Sequence, residues 1–304
     1  MKRIALPMAA LLVAGGAAPV LAQLGMWSKE QRMEFTREWK GERFPDGRPK
    51  VADDLVKRLS NVSAEEAWGV LRGHRYTLQF EGNWKVINPS PKRLAGRVVT
   101  AVFMPRRPDV NAVIDDYGKK EQRVSRGQNS WVIDTLVPGD VLVVDLFGKI
   151  KNGTFAGDNL ATSIFAKTGT GLVVHGSVRD TTGIQEIEGM QVYVRGMDPS
   201  AIADVTLMGI NVPIRIGEVT VMPGDIVVGD PEGLTFIPPH LAAEVADRAE
   251  LTQARDEWGH QMLREGKYTP GEIDTRWSEK MIQEFNAWAE QKGYKTRMGK
   301  GKEE

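Results

Sequence analysis

Cysteine is absent from all 304 residues, which excludes thiol nucleophiles, thiolate metal sites and disulfide staples. Net charge is absent as well: 40 Lys and Arg balance 40 Asp and Glu, so no sequence-wide field draws the chain to nucleic acid or to an anionic membrane. The four histidines, His74, His175, His240 and His260, have no metal-ligand spacing, and no His-Glu-x-x-His occurs. A Walker loop is missing, and Gly169-Thr170-Gly171 lacks both the third glycine and the strand-helix setting of a dinucleotide site. Without a Gly-x-Ser-x-Gly elbow, a hydrolase triad has no anchor. Beyond the first residues, no apolar run reaches the length of a membrane span.

What is present begins with a leader. Lys2-Arg3 precede an apolar run over residues 4–13, and small residues end at Val20-Leu21-Ala22. That is the layout of a signal peptide over residues 1–22, cleaved after Ala22, and it predicts an exported, periplasmic protein with no membrane contact once the leader is removed. An uncleaved anchor is the alternative; Gly15, Gly16 and Pro19 interrupt the run and speak against it. At 41% apolar and 26% charged residues, the rest is long enough for one large core with appendages.

Ser28-Lys29-Glu30-Gln31 has capping-box spacing and opens a polar helix expected to reach Gly41, before the breaker Phe44-Pro45-Asp46-Gly47. Residues 23–50 therefore read as a helical arm rather than a core element. A helical stretch over residues 51–59 leads to a second capping box, Ser63-Ala64-Glu65-Glu66, with a helix through Leu71. From Tyr76 onward short β-branched runs follow, at residues 98–103, 141–144 and 172–174, bounded by Gly, Pro or Asp as buried strands are. Pro138-Gly139-Asp140 feeding residues 141–144 recurs as Pro223-Gly224-Asp225 feeding residues 226–228, two tight turns into strands. Asp230-Pro231-Glu232-Gly233 reads as a hairpin turn into residues 234–237. The tail is helical from Pro239 to about Leu263 and again over about residues 273–291. Its rings Trp258, Trp277 and Trp288 call for burial, on the chain's own core or on a neighbouring subunit. The boundaries that result are an arm at 23–50, a core at 51–245 and a helical extension at 246–304.

The residues with chemical potential are Gly157-Asp158-Asn159-Leu160 and, with twenty residues intervening after Asp158, Arg179-Asp180. The first group lies where a loop becomes a helix, and a helix N-terminus offers free backbone N–H groups to a small carboxylate. Arg179 offers a planar fork of donors to an oxygen that turns negative during reaction. Asp180 offers a hard oxygen ligand, and magnesium commonly takes one or two carboxylates while keeping several waters. By residue type alone the favoured reading is plainer, with Asp158 and Asp180 as helix N-caps, for which Asp is among the commonest residues, and Arg179 as a surface cation.

Asp158, twenty residues, then Arg179-Asp180 is similar to the signature of the 4-hydroxy-4-methyl-2-oxoglutarate aldolases in the RraA-like family (regulator of ribonuclease activity A). Leu94-Ala95-Gly96-Arg97-Val98-Val99-Thr100, the turn at Pro138-Gly139-Asp140, Gly176-Ser177-Val178-Arg179-Asp180, Val212-Pro213-Ile214 and Val221-Met222-Pro223-Gly224-Asp225 agree with that family in order and spacing. The resemblance implies an α/β fold with a layered β/β/α core of the swivelling-domain type, carrying here a helical C-terminal extension. It implies ring-like trimers or hexamers with sites near subunit boundaries. It also implies a lyase, a pyruvate-forming aldolase or a decarboxylase of a 2-oxo acid such as oxaloacetate. Carried over by position, Gly157, Asp158, Asn159 and Leu160 bind the substrate carboxylate and Arg179 the keto or enolate oxygen. Asp180 holds Mg2+ or Mn2+, and Asp158 positions a water that moves the proton. Two departures stand out. Gly183 occupies a position that is acidic in some members, and Glu257 is an uncertain match for a glutamate that a neighbouring subunit supplies. His175, on the strand leading to the site, reads as either a specificity residue or a structural one. A non-catalytic regulator of a ribonuclease assembly, and a binding or scaffold protein that has lost turnover, are the competing readings.

Overall fold

The computed structural model describes residues 27–89, 92–123 and 127–299. The leader and its cleavage point at Ala22 lie outside the described residues. Eleven strands are described: β1 (Phe80–Gly82), β2 (Lys85–Val86), β3 (Leu94–Pro105), β4 (Asp140–Asp145), β5 (Gly171–Val178), β6 (Gln191–Met197), β7 (Val205–Ile210), β8 (Ile214–Ile216), β9 (Val219–Val221), β10 (Ile226–Gly229) and β11 (Gly233–Ile237). The helices are α1 (Lys29–Phe35), α2 (Asp53–Leu59), α3 (Ala64–Gly73), α4 (Pro108–Lys120), α5 (Gln128–Ile133), α6 (Asp158–Thr168), α7 (Thr181–Gln185), α8 (Ala242–Arg264), α9 (Pro270–Ile273) and α10 (Glu279–Lys292).

The three β-branched runs become β3, β4 and β5, which pair in parallel with one another and with β6. Antiparallel strands continue the sheet on both sides, in the order β1-β11-β10-β3-β4-β5-β6-β2. β3 is long enough to serve two partners on one edge: its first four residues pair with β10, and residues from Ala101 onward pair with β7 across a bulge at Val102/Phe103. Side chains along a strand alternate between faces, so each parallel strand feeds two cores. Leu142, Val144, Leu172, Val174, Val192 and Val194 pack with Ile133 of α5, Ile164 of α6 and Ile184 of α7. Their neighbours Val141, Val143, Val173 and Tyr193 pack against Ile216, Val219, Val227 and Phe236, from the β8–β9 hairpin and the curled β10–β11 end. The order helices, sheet, second β-layer is the expected β/β/α core. The outer face of β10–β11, through Ile226, Val228 and Ile237, is covered in turn by α2, α3 and α8.

Two segments differ from the sequence reading. Helix α1 keeps its capping box at Ser28 but stops at Phe35, well before Gly41. The arm is also bound to the core: Arg32 is 1% exposed and donates to the carbonyls of Asp46 and Asn211. Arg48 reaches into the sheet to meet Asp140 at 2.7 Å, both side chains almost wholly buried. The tail tryptophans find their burial within the tail itself, where Trp258, Trp277 and Phe285 form a small core with Met262 and Met281 and Trp288 packs on its edge. No described helix is long and apolar enough to cross a membrane.

Candidate functional site

The site is assembled by a strip of chain between β4 and α6. Residues 154–156 run beside the end of β5 as a short parallel bridge: Phe155 N donates to Ser177 O at 2.9 Å, and Arg179 N donates to Ala156 O at 3.1 Å. That pairing carries Gly157 to Arg179 and Asp180, although α6 and β5 lie between them in the sequence. A Cβ built on Gly157 would stand 3.1 Å from Arg179 Nε and closer than 3.0 Å to Asp180 Oδ2. Only glycine lets the two segments approach this far. β5 runs through Val178, beyond the β-branched run at residues 172–174, so Arg179 is delivered directly off the strand.

Neither aspartate acts as a capping side chain. Gly157 is the N-cap of α6, and Asp158 is the first helical residue, its Oδ1 accepting from Asn159 N at 2.7 Å. Asp180 does occupy the N-cap position of α7, yet its carboxylate takes no N–H from that helix. Its backbone is left-handed, φ 51°, a conformation that costs a non-glycine residue about 1 kcal/mol and that Asp tolerates better than most. The carboxylate turns instead to Arg179, with Oδ2 at 3.3 Å from Nε. Arg179 and Asp180 side chains are 42% and 50% exposed, so within one chain they form an open shelf rather than a closed pocket. Asn159 is exposed on the same helix end, while Leu160 packs partly into the helix-side core.

Gly183 sits against Asp158: a Cβ there would be 2.7 Å from Asp158 Oδ2 and 2.8 Å from its Cβ. An acidic side chain at this position would displace Asp158, so its replacement by glycine and the present placement of Asp158 go together. The structure thus brings Gly157, Asp158, Arg179, Asp180 and Gly183 to one place. It does not bring Glu257 there. Within this chain Glu257 accepts from the Tyr294 hydroxyl and lies 3.8 Å from Lys292 Nζ. His175 pairs with Asp145, Nδ1 to Oδ1 at 3.3 Å, and ties the end of β4 to the middle of β5.

Among the described residues no group of three or more His, Asp or Glu side chains gathers as a metal-binding cluster. What the shelf offers is the half-exposed Asp180 with Asp158 close by. That donor set suits a hard cation that keeps most of its water, and it does not suit a closed zinc site.

Residues 66–236 match the family described as RraA-like: Aldolase/RraA. The chain belongs to the RraA-like family. A 4-hydroxy-4-methyl-2-oxoglutarate aldolase from Thermus thermophilus is 33% identical over 100 residues, 33% of this chain and 60% of that protein. A relative in Halalkalibacterium halodurans, bearing a provisional form of the same name, is 33% identical over 138 residues, 44% of this chain and 65% of its own length. The chain thus spans less than two thirds of either curated relative. Among solved structures, Streptomyces coelicolor RraAS2, an unusual member of the RNase ES inhibitor RraA protein family, aligns with TM-score 0.60 and 27% identity over 70% of this chain and 99% of that one. An uncharacterized protein from Pseudomonas syringae pv. tomato aligns with TM-score 0.61 at 20% identity over 77% and 98% of the two chains, a likeness of fold alone. In both alignments the other chain is almost wholly covered and about a quarter of this one is left over.

Proposed function

We propose that this RraA-like chain is a carbon–carbon lyase acting on a small 2-oxo acid, with its chemistry on the shelf formed by Gly157, Asp158, Arg179 and Asp180. The observation that carries the reading is the packing of Gly157 on Arg179 and Asp180, which sets a helix N-terminus beside a half-exposed guanidinium–carboxylate pair. The first-turn N–H groups of α6 bind the substrate carboxylate. Arg179 presents two donors to the adjacent keto oxygen. When the bond between C3 and C4 of a 4-hydroxy-2-oxo acid breaks, its electron pair moves toward that oxygen, and Arg179 holds the enolate that results. Asp158 positions a water that takes the proton from the 4-hydroxyl group and returns one to C3 of the enolate. Asp180, with Asp158 beside it, would hold Mg2+ or Mn2+, which supplies Lewis acidity toward the same oxygen. Retro-aldol cleavage and decarboxylation of oxaloacetate share this enolate, so one shelf serves both.

The aldolase names of the relatives support the reading, and so does the survival of both carboxylates and the arginine in one cluster. The open shelf favours a homo-oligomer, a trimer or hexamer, in which a neighbour closes the site. The leader favours export, and N-terminal mass spectrometry of the exported protein would then find Gln23 first. The lyase itself is tested by incubating the full chain with pyruvate and magnesium in heavy water. An enolate-forming enzyme exchanges the methyl protons, visible by NMR as loss of the methyl signal; a regulator or scaffold leaves it unchanged.

A further inference from the structure

The two Pro-Gly-Asp turns share glycine conformation, the hydrogen bond of the aspartate and its burial, and differ in counter-charge. In each the glycine is left-handed, Gly139 at φ 81° and Gly224 at φ 90°. In each the aspartate Oδ2 accepts the N–H of the residue three positions earlier, Val137 at 3.0 Å for Asp140 and Met222 at 2.8 Å for Asp225. Both aspartates are buried, at 0% and 3% exposure. Asp140 is met by Arg48 through both guanidinium nitrogens, at 2.7 and 3.2 Å. Among the described residues no side chain donates to Asp225. Both terminal guanidinium nitrogens of Arg48 are engaged, with Asp140 and the carbonyl of Val98, and its Nε makes no hydrogen bond to Asp225, while its stem lies along Gly224.

Asp225 lines a cavity of about 300 Å³ between the α1 segment and the turn from β9 to β10. A buried carboxylate with a single N–H donor and no counter-charge is costly, and burial pushes the Asp225 carboxyl up to about 8 against the lowering effect of the Met222 N–H. We infer that this cavity binds a small organic cation, a primary ammonium or guanidinium group on a compact apolar body, which supplies to Asp225 what Arg48 supplies to Asp140. The other walls suit such a ligand. Glu38 adds a second carboxylate, Phe35 and Tyr76 add aromatic rings, and Met222 and Pro238 offer apolar contact. His240, also in the wall, has its pKa lowered by burial and so does not oppose a cation near neutral pH. None of the lining residues belongs to the candidate lyase site, so the inference stands apart from that reading.

The test is calorimetric titration of the full chain at pH 9, where the Asp225 carboxyl has given up its proton and both cations keep theirs, with n-butylamine, methylguanidine, butyrate and 1-butanol. The expected result is saturable binding of at least one of the two cations at one per chain, at least about tenfold weaker binding of 1-butanol, and none of butyrate. Asp225→Asn keeps an acceptor for the Met222 N–H and loses the charge, so affinity for the cation should fall about tenfold or more. Glu38→Gln, at an exposed position, should weaken it by about two- to threefold. The inference is overturned if neither cation saturates the chain below about 10 mM, if butyrate binds as well as n-butylamine, or if folded Asp225→Asn binds the cations as the wild type does. Should Asp225→Asn fail to fold, the selectivity of the wild type and the response of Glu38→Gln decide: unchanged affinity in Glu38→Gln overturns the inference, and a weakened one supports it.

Discussion

Replacing Gly157 with alanine adds one methyl group at the point where the loop, Arg179 and Asp180 meet. The backbone of Gly157 is extended, φ −103° and ψ −169°, so alanine adopts it without strain. The added Cβ would fall closer than 3.0 Å to Asp180 Oδ2 and 3.1 Å from Arg179 Nε, against an ordinary contact of 3.4 Å or more. Both neighbours are half-exposed side chains that can swing away, so the fold survives. Glycine is also the better N-cap, which leaves a stability loss of about 1 kcal/mol at most. The site does not survive as well. A displacement of about 1 Å in positioned groups costs on the order of a hundredfold in rate, or about 2.7 kcal/mol of barrier. We therefore expect Gly157→Ala to melt close to the wild type while pyruvate proton exchange drops about a hundredfold. Gly69→Ala, where a Cβ meets nothing within 4 Å, is the matched control. A folded Gly157→Ala that exchanges protons at the wild-type rate would refute the argument that this close approach builds the site.

Other parts of the structure give further expectations. Arg48→Met leaves Asp140 buried without its partner and should cost about 3–5 kcal/mol in urea denaturation, whereas adding Asp140→Asn should recover much of it; equal stability of the two variants would contradict a shared ion pair. Asp225 holds its proton in the folded chain up to about 8 but loses it near the ordinary carboxyl value when unfolded. Its contribution is thus full below about pH 4 and is lost as pH rises toward 8, at up to about 1.4 kcal/mol per unit. Asp225→Asn should remove that part of the pH slope between urea melts at pH 5 and pH 8, and parallel slopes would show that the residue does not titrate as its burial requires. Gly183→Ala should push Asp158 aside and slow exchange with little change in melting temperature; an unchanged rate would separate Asp158 from the chemistry.

Much of the core was legible because its strands are buried on both faces and read as unbroken β-branched runs. The capping boxes at Ser28 and Ser63 marked helix starts correctly for the same local reason, a side chain bonding to a backbone N–H three residues on. Helix ends were less legible: nothing near Phe35 announces that α1 stops there, where the guanidinium of Arg43 takes the carbonyls of Thr36 and Trp39. The burial of Arg32 and Arg48 was invisible because a long charged side chain reads as surface until its distant partner is known. At the shelf, residue types and spacing suggested the chemistry but left capping open. The bridge between residues 154–156 and 177–179, which no periodicity announces, is what carries Gly157 to Arg179 and Asp180. The echo of the Pro-Gly-Asp turns was plain in the sequence, whereas the difference between Asp140 and Asp225 depends on Arg48, ninety-two residues before Asp140.

The central claim is that Arg179 and Asp180 act as a site rather than as a helix end. The most direct measurement is pyruvate release from 4-hydroxy-4-methyl-2-oxoglutarate by the wild type, Arg179→Lys and Asp180→Ala, each with chelator and with added magnesium or manganese. Arg179→Lys keeps the charge and loses the planar fork, so turnover should fall by two or more orders of magnitude, about 3 kcal/mol. Asp180→Ala should abolish metal-dependent release while the protein stays folded, and chelator should silence the wild type until metal is restored. Full activity in both folded variants, or wild-type turnover unaffected by chelator, would contradict the account.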